Sequence, residues 1–298
     1  MHTLYRDFDS QAQIDAQYNP SLGLGDGPSP LEHYLATAQA ARKNLKCVLD
    51  VPFGPTVHET LDIFPAEAPN APVFVFIHGG YWRAFSSKEF SGIALGLQPL
   101  GITTVVVNYA LCPQVSIDEI TRQARAAVAW TVRNIAQYGG DPTRIGIGGH
   151  SAGAQLASMC LQTHWEQDYG LPQDLLKAAV LVSGLFDLAP LRYSYLQPMI
   201  QLDDGVIRRN SSAFGVRPCT TPTWVTWGGS ETSEFARQSA LFYAAWTASG
   251  NTGLLNEQPG ANHFTAIHGF EDVNSDLCRW LAKTLAPSSC PHSLPPSQ

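Results

Sequence analysis

Charge is scarce in this sequence: Asp, Glu, Lys and Arg together make up only 14% of the 298 residues. Lys and Arg number 18 against 25 acidic residues, for a net charge of −7, and they form no cluster. That excludes the electrostatic footprint of a nucleic-acid-binding protein. Long apolar runs are missing as well. None approaches the ~20 residues that cross a bilayer, so no membrane partner is expected. The first twenty residues carry Arg6, Asp7, Asp9 and Asp15 and lack the apolar stretch of a secretory signal. There is no CxxC spacing either. Cys47, Cys112, Cys160, Cys219, Cys278 and Cys290 are scattered, which reads as ordinary thiols rather than disulfides or a metal site. These absences predict a cytoplasmic protein with no metal and no cofactor. A homodimer is compatible with all of this, and nothing in the sequence decides it.

Apolar residues are abundant, at 44%, enough for a sizeable core. Leu45–Val51 and His58–Phe64 alternate about a Pro/Gly turn and predict an opening antiparallel hairpin. Val73–Ile77, Thr103–Asn108, Arg144–Ile147, Ala178–Val182, Thr223–Trp227 and Gly253–Gln258 follow. Most are apolar on both faces, as strands buried within a parallel sheet must be. Helical patterns separate them, the clearest over Ile117–Tyr138, with others over Leu31–Lys43 and Glu234–Trp246. Strands alternating with helices predict an α/β fold, a mostly parallel central sheet with helices on both faces. Residues 1–44 form an N-terminal extension with a short helix, and 45–285 a single domain. Residues 188–214, without clear periodicity, are a candidate cap, and the Pro/Ser-rich 286–298 a disordered tail.

One stretch carries the chemistry. Gly149-His150-Ser151-Ala152-Gly153 lies between an apolar strand and a helix. A serine in so sharp a strand-to-helix turn has strained backbone and needs very small neighbours two positions away, which Gly149 and Gly153 supply. The turn presents Ser151 as a nucleophile and sets the Ala152 N–H at a helix N-terminus. Some seventy residues earlier, Val73–Ile77 ends in His78-Gly79-Gly80-Tyr81-Trp82. The N–H groups of Gly79 and Gly80, with that of Ala152, are expected to cradle a developing oxyanion. His78 reads as structural.

Ser151 needs a base to take its proton. His263 follows the last strand, where the order serine, acid, histidine requires it. His268 is the alternative, and His150 lies too close along the chain and packs beside the elbow. The acid should follow Thr223–Trp227, where Glu231 comes first. Glu234 suits the first turn of the next helix, and Asp187, after Ala178–Val182, is a further alternative.

Together these motifs resemble the kynurenine formamidase (arylformamidase) branch of the α/β hydrolases, near the hormone-sensitive-lipase-like esterases. The likeness rests on His78–Trp82, Asn108–Pro113, Gly139–Ile145, Gly149–Gly153, Ser183–Leu191 and Glu234–Ser239. It implies an α/β-hydrolase fold and cleavage of an N-formyl aryl amine, a small-molecule substrate, to amine and formate. A short-chain carboxylesterase is the alternative activity. It also implies that Tyr81, Trp82 and His150 border the substrate, although Tyr81 and Trp82 have plain packing as an equal alternative. The chain departs from the family in one place, with Glu231 where members usually carry Asp.

Overall fold

The computed structural model describes residues 3–22, 24 and 29–287. Eight strands form one sheet: β1 (Val48–Pro52), β2 (Thr60–Phe64), β3 (Ala71–Ile77), β4 (Thr103–Val107), β5 (Gly140–His150), β6 (Leu176–Val182), β7 (Thr223–Gly228) and β8 (Gly253–Gln258). Their order is β1-β2-β4-β3-β5-β6-β7-β8. β1 and β2 are antiparallel, β2 meets β4 antiparallel, and every pairing from β4 to β8 is parallel. This is the α/β-hydrolase fold, a hairpin leading into a parallel sheet.

The all-apolar strands are explained by two cores. Successive side chains of a strand point to opposite faces. Val73, Val75 and Ile77 accordingly enter one buried cluster with Ile117, Ile120 and Ala124. Phe74 and Phe76 enter the other with Phe90, Phe270 and Leu281. β5 passes beneath the aromatic face on small residues: a methyl at Gly148 would collide with the Phe74 ring.

The helix Ile117–Asn134 covers the first face, with Ser116 Oγ accepting from Glu119 N (3.3 Å), Asp118 and Glu119 in its first turn and Arg133 in its last. That polarity suits the helix dipole. Gly139, at φ 78°, turns the chain into β5 in a conformation glycine adopts without a Cβ clash.

Three segments differ from the sequence reading. The N-terminal extension carries two helices, Gln11–Tyr18 and Pro30–Asn44. The first was missed because its amphipathic signal is weak, yet Ile14 and Tyr18 are fully buried. Residues 188–214 form short turns and helices, among them Asp204–Asn210. A 3-10 segment, Thr265–Glu271, and a helix, Asp276–Thr284, follow His263. Of the tail expected to be disordered, 288–298 lies outside the described residues. No helix among the described residues is long and apolar enough to cross a membrane.

Candidate active site

Ser151 sits between β5 and the helix Ala152–Leu161 with φ 57° and ψ −119°, a left-handed backbone that a non-glycine residue adopts only under constraint. The constraint is visible on both sides. Its own N–H donates to Val182 O at the tip of β6 (2.8 Å). A methyl at Gly153 would run into the carbonyl oxygens of Ile77 and His78, and one at Gly149 into the Gly153 backbone. The elbow therefore packs backbone on backbone, which is why its glycines have no substitute.

The His78-Gly79-Gly80 turn ends β3 beside the elbow. Gly79 approaches so closely that a Cβ there would lie 2.9 Å from His150 O. Gly80 has φ 108°. Among the described residues, the N–H groups of Gly79, Gly80 and Ala152 donate to no protein acceptor. Tyr109, quoted in the sequence only as part of the Asn108–Pro113 motif, holds the turn from behind by donating to His78 O (2.8 Å). His78 is fully buried between Tyr109 and Phe90 (ring centroids 4.1 and 5.5 Å). Its Nδ1–H meets Gly79 O at 2.7 Å, and burial pushes its pKa down to about 4. It is a neutral buttress of the turn.

His263 lies on the loop after β8. Its Nδ1 donates to Glu231 Oε2 at 2.6 Å. The ring packs between Phe235 (4.4 Å between centroids) and His150 (4.6 Å). Glu231 Oε1 in turn accepts from Gly228 N (2.6 Å) and Ser183 Oγ (2.5 Å). Both oxygens of this fully buried carboxylate are thus engaged by donors, as an ionised group away from water requires. Ser183 was quoted in the sequence only as part of a motif. Its contact to Glu231 spans 48 residues, and no local signal announces it.

The alternatives go elsewhere. Glu234 accepts from Tyr18 Oη and from Arg237 (2.6 and 2.8 Å). Burial first, then the Glu234 carboxylate, raises the Tyr18 pKa well above its ordinary value, so the phenol stays a donor. Asp187 faces Arg237 (3.5 Å) and Arg6 (3.8 Å). His268 stacks on His33 (3.9 Å). His33, His268 and Glu271 bring ligand-type atoms within 4.8 Å of one another, a grouping that a separation of some 235 residues hid from sequence spacing. The two imidazole rings lie nearly parallel, 22° apart. His33 Nε2 meets Glu271 Oε2 at 2.8 Å.

Ser151 and His263 line one cavity of about 470 Å³, a size suited to a small organic molecule. No Ser151 Oγ–His263 hydrogen bond is formed among the described residues. Such bonds commonly tighten only once substrate is bound. Gly79, Gly80 and Tyr81 also border the cavity, as do Phe85, Phe90 and Phe264. Tyr81 Oη donates to Tyr18 O (2.6 Å). His150 borders it too, but its Nε2–H is taken by His263 O (2.8 Å). Burial, followed by the nearby His263, holds the His150 pKa well below its ordinary value. Trp82 does not reach the cavity, contrary to the expectation that it borders the substrate. It is fully buried and its indole N–H donates to Gln155 Oε1 (3.0 Å), because the turn at Tyr81 and Trp82 (φ 50° and 56°) sends the indole inward. The sequence reading also missed Asn19, Pro20 and Ser21, which follow the first helix and close one side.

A model of the alpha/beta hydrolase fold matches residues 74–252. A kynurenine formamidase of Danio rerio is 30% identical over 94% of this chain and 98% of its own. Esterase LipQ of Mycobacterium tuberculosis is 30% identical over 81% of this chain and 60% of its own. Among solved structures, a candidate thioesterase from Silicibacter sp. TM1040 is similar at 26% identity and a TM-score of 0.78, covering 90% of this chain and 98% of that one. By fold, motifs and these relatives, the chain belongs to the α/β-hydrolase family of enzymes, in the branch of the kynurenine formamidases.

Proposed function

We propose that the protein is a serine hydrolase that deformylates N-formyl aryl amines of the N-formylkynurenine type. The observation that carries the reading is the Glu231–His263 pair (2.6 Å) beside Ser151 on one small aromatic cavity. In this reading His263 Nε2 takes the Ser151 proton as Oγ bonds to the formyl carbon. The oxyanion rests on the N–H groups of Gly79, Gly80 and Ala152. The C–N bond then breaks and His263 returns the proton to the departing amine. Water, deprotonated by His263, attacks the formyl-serine, its C–O bond to Ser151 breaks as His263 returns the proton to Oγ, and formate leaves. Glu231 holds the imidazole tautomer throughout, and no cofactor takes part.

A second reading, a carboxylesterase for short acyl groups, is favoured by the likeness to LipQ and uses the same residues. Specificity constants for N-formylkynurenine and p-nitrophenyl acetate separate the two. A preference for the formamide supports the first, and ester turnover without measurable formate release supports the second. Fluorophosphonate labelling that survives Ser151→Ala would remove both. The cytoplasm is the compartment we infer, since five cysteines are free thiols among the described residues.

A further inference from the structure

Arg83 is one of several arginines without a carboxylate partner among the described residues, with Arg42, Arg125 and Arg133, and it differs from them by its place on the cavity that holds Ser151. Arg122, Arg144, Arg192, Arg209 and Arg237 each meet a carboxylate. Arg83 forms no ion pair among the described residues. Its guanidinium lies over the Tyr195 ring, 5.9 Å from the centroid, an arrangement that steadies the cation by its face. Both Arg83 and Tyr195 line the cavity that holds Ser151. Among the described residues no Asp or Glu lines that cavity, and Arg83 is the only Lys or Arg that does. Such a placement is notable in a chain of net charge −7, where a lone cation at the site attracts anions that the rest of the surface repels.

The backbone ties this charge to the reaction centre. Arg83 N–H donates to Gly80 O (3.0 Å), so the turn that presents the Gly80 amide also fixes where Arg83 begins. Phe85, Phe90 and Phe264 line the same cavity. A planar guanidinium recognises carboxylate in preference to neutral polar groups, through two parallel N–H bonds.

We propose that Arg83 is a specificity-determining residue that anchors a carboxylate on the far end of the substrate. The enzyme's preferred substrates are then aryl formamides bearing a free carboxylate. The formyl group lies at Ser151, the ring along Phe85 and the carboxylate at the cavity mouth. This rests on the deformylase reading, and it selects within that class.

The test compares wild type, Arg83→Gln, Arg83→Lys and Arg83→Glu on N-formylkynurenine and on uncharged formanilide. The same variants are assayed on a matched pair of aryl esters, phenyl acetate and 4-acetoxybenzoate, the second with its carboxylate on the aryl side. In Arg83→Gln the ratio of kcat/KM for carboxylate-bearing over carboxylate-free substrates is expected to fall roughly ten- to hundredfold, through KM, as for loss of a charge-assisted hydrogen bond. Arg83→Lys should restore part of it and Arg83→Glu should lower it further. An equal loss on carboxylate-bearing and carboxylate-free substrates would show a merely structural role and overturn the proposal, as would an unchanged ratio. Turnover of the neutral substrates reports that each variant is folded. If no formamide is cleaved, the deformylase reading fails by itself. The carboxylate anchor then stands or falls on the ester pair.

Discussion

Glu231 Oε2 lies 2.6 Å from His263 Nδ1, while Glu234, three residues on, turns its carboxylate to Tyr18 and Arg237. One turn of loop followed by a helix start separates two chemically identical groups into different environments. The loop after β7 delivers Glu231 to the strand tips, where Gly228 N and Ser183 Oγ also wait. Glu234 belongs to the first turn of the helix Ser233–Ala248 and joins it to the N-terminal helix through Tyr18.

Exchange of each carboxylate for its amide should therefore give opposite phenotypes. Glu231→Gln is expected to lower kcat on the order of 10³–10⁴-fold, because the amide can favour the wrong imidazole tautomer. Glu234→Gln should keep kcat within a few-fold and lose on the order of 1–3 kcal/mol of stability. Steady-state kinetics beside urea unfolding decide. The reverse pattern would move the base's partner to Glu234.

Ser183→Ala removes the hydroxyl that holds Glu231 Oε1 (2.5 Å). Loss of a hydrogen bond to a charged group should reduce kcat about tenfold, with little change in KM. A kcat equal to wild type would mean that the Gly228 amide alone orients the carboxylate.

Gly153→Ala places a methyl against the carbonyl oxygens of Ile77 and His78. Neither the strand end nor the helix start can yield without opening the elbow, so a loss of about 3 kcal/mol or more is expected. Thermal melting with fluorophosphonate labelling checks this. An alanine variant that melts and labels like wild type contradicts the tight backbone packing described above.

Acid sensitivity follows from His78. Its pKa in the fold is about 4, against an ordinary 6.5. Between those values the unfolded chain binds a proton that the folded one does not, so stability falls as pH drops from 6.5 toward 4. Replacing His78 by Gln should remove about one proton from that dependence, a slope of ~1.4 kcal/mol per pH unit. Urea midpoints measured across that range would show it, and an unaltered slope would assign the effect to other groups, His150 first.

Local patterning carried the reading of the sheet well. β3, β4 and β6 are apolar on both faces because both faces are covered, and that is written in consecutive residues. The elbow was legible for a similar reason: a strained turn demands Gly149 and Gly153 within two positions of Ser151. Trp82 shows the limit. Its neighbours in sequence border the cavity, but three positive-φ residues in a row, Gly80 to Trp82, decide that its ring points to Gln155.

Order along the chain was thus enough for the strands, the nucleophile turn and the place of the histidine loop, since each depends on residues close in sequence. Which carboxylate meets His263, that Ser183 supports it, and that Asn19–Ser21 and Arg83 border the cavity were decided by tertiary structure. Those contacts join segments from 32 to more than 200 residues apart, and only the packing of helices on a twisted sheet brings such segments together.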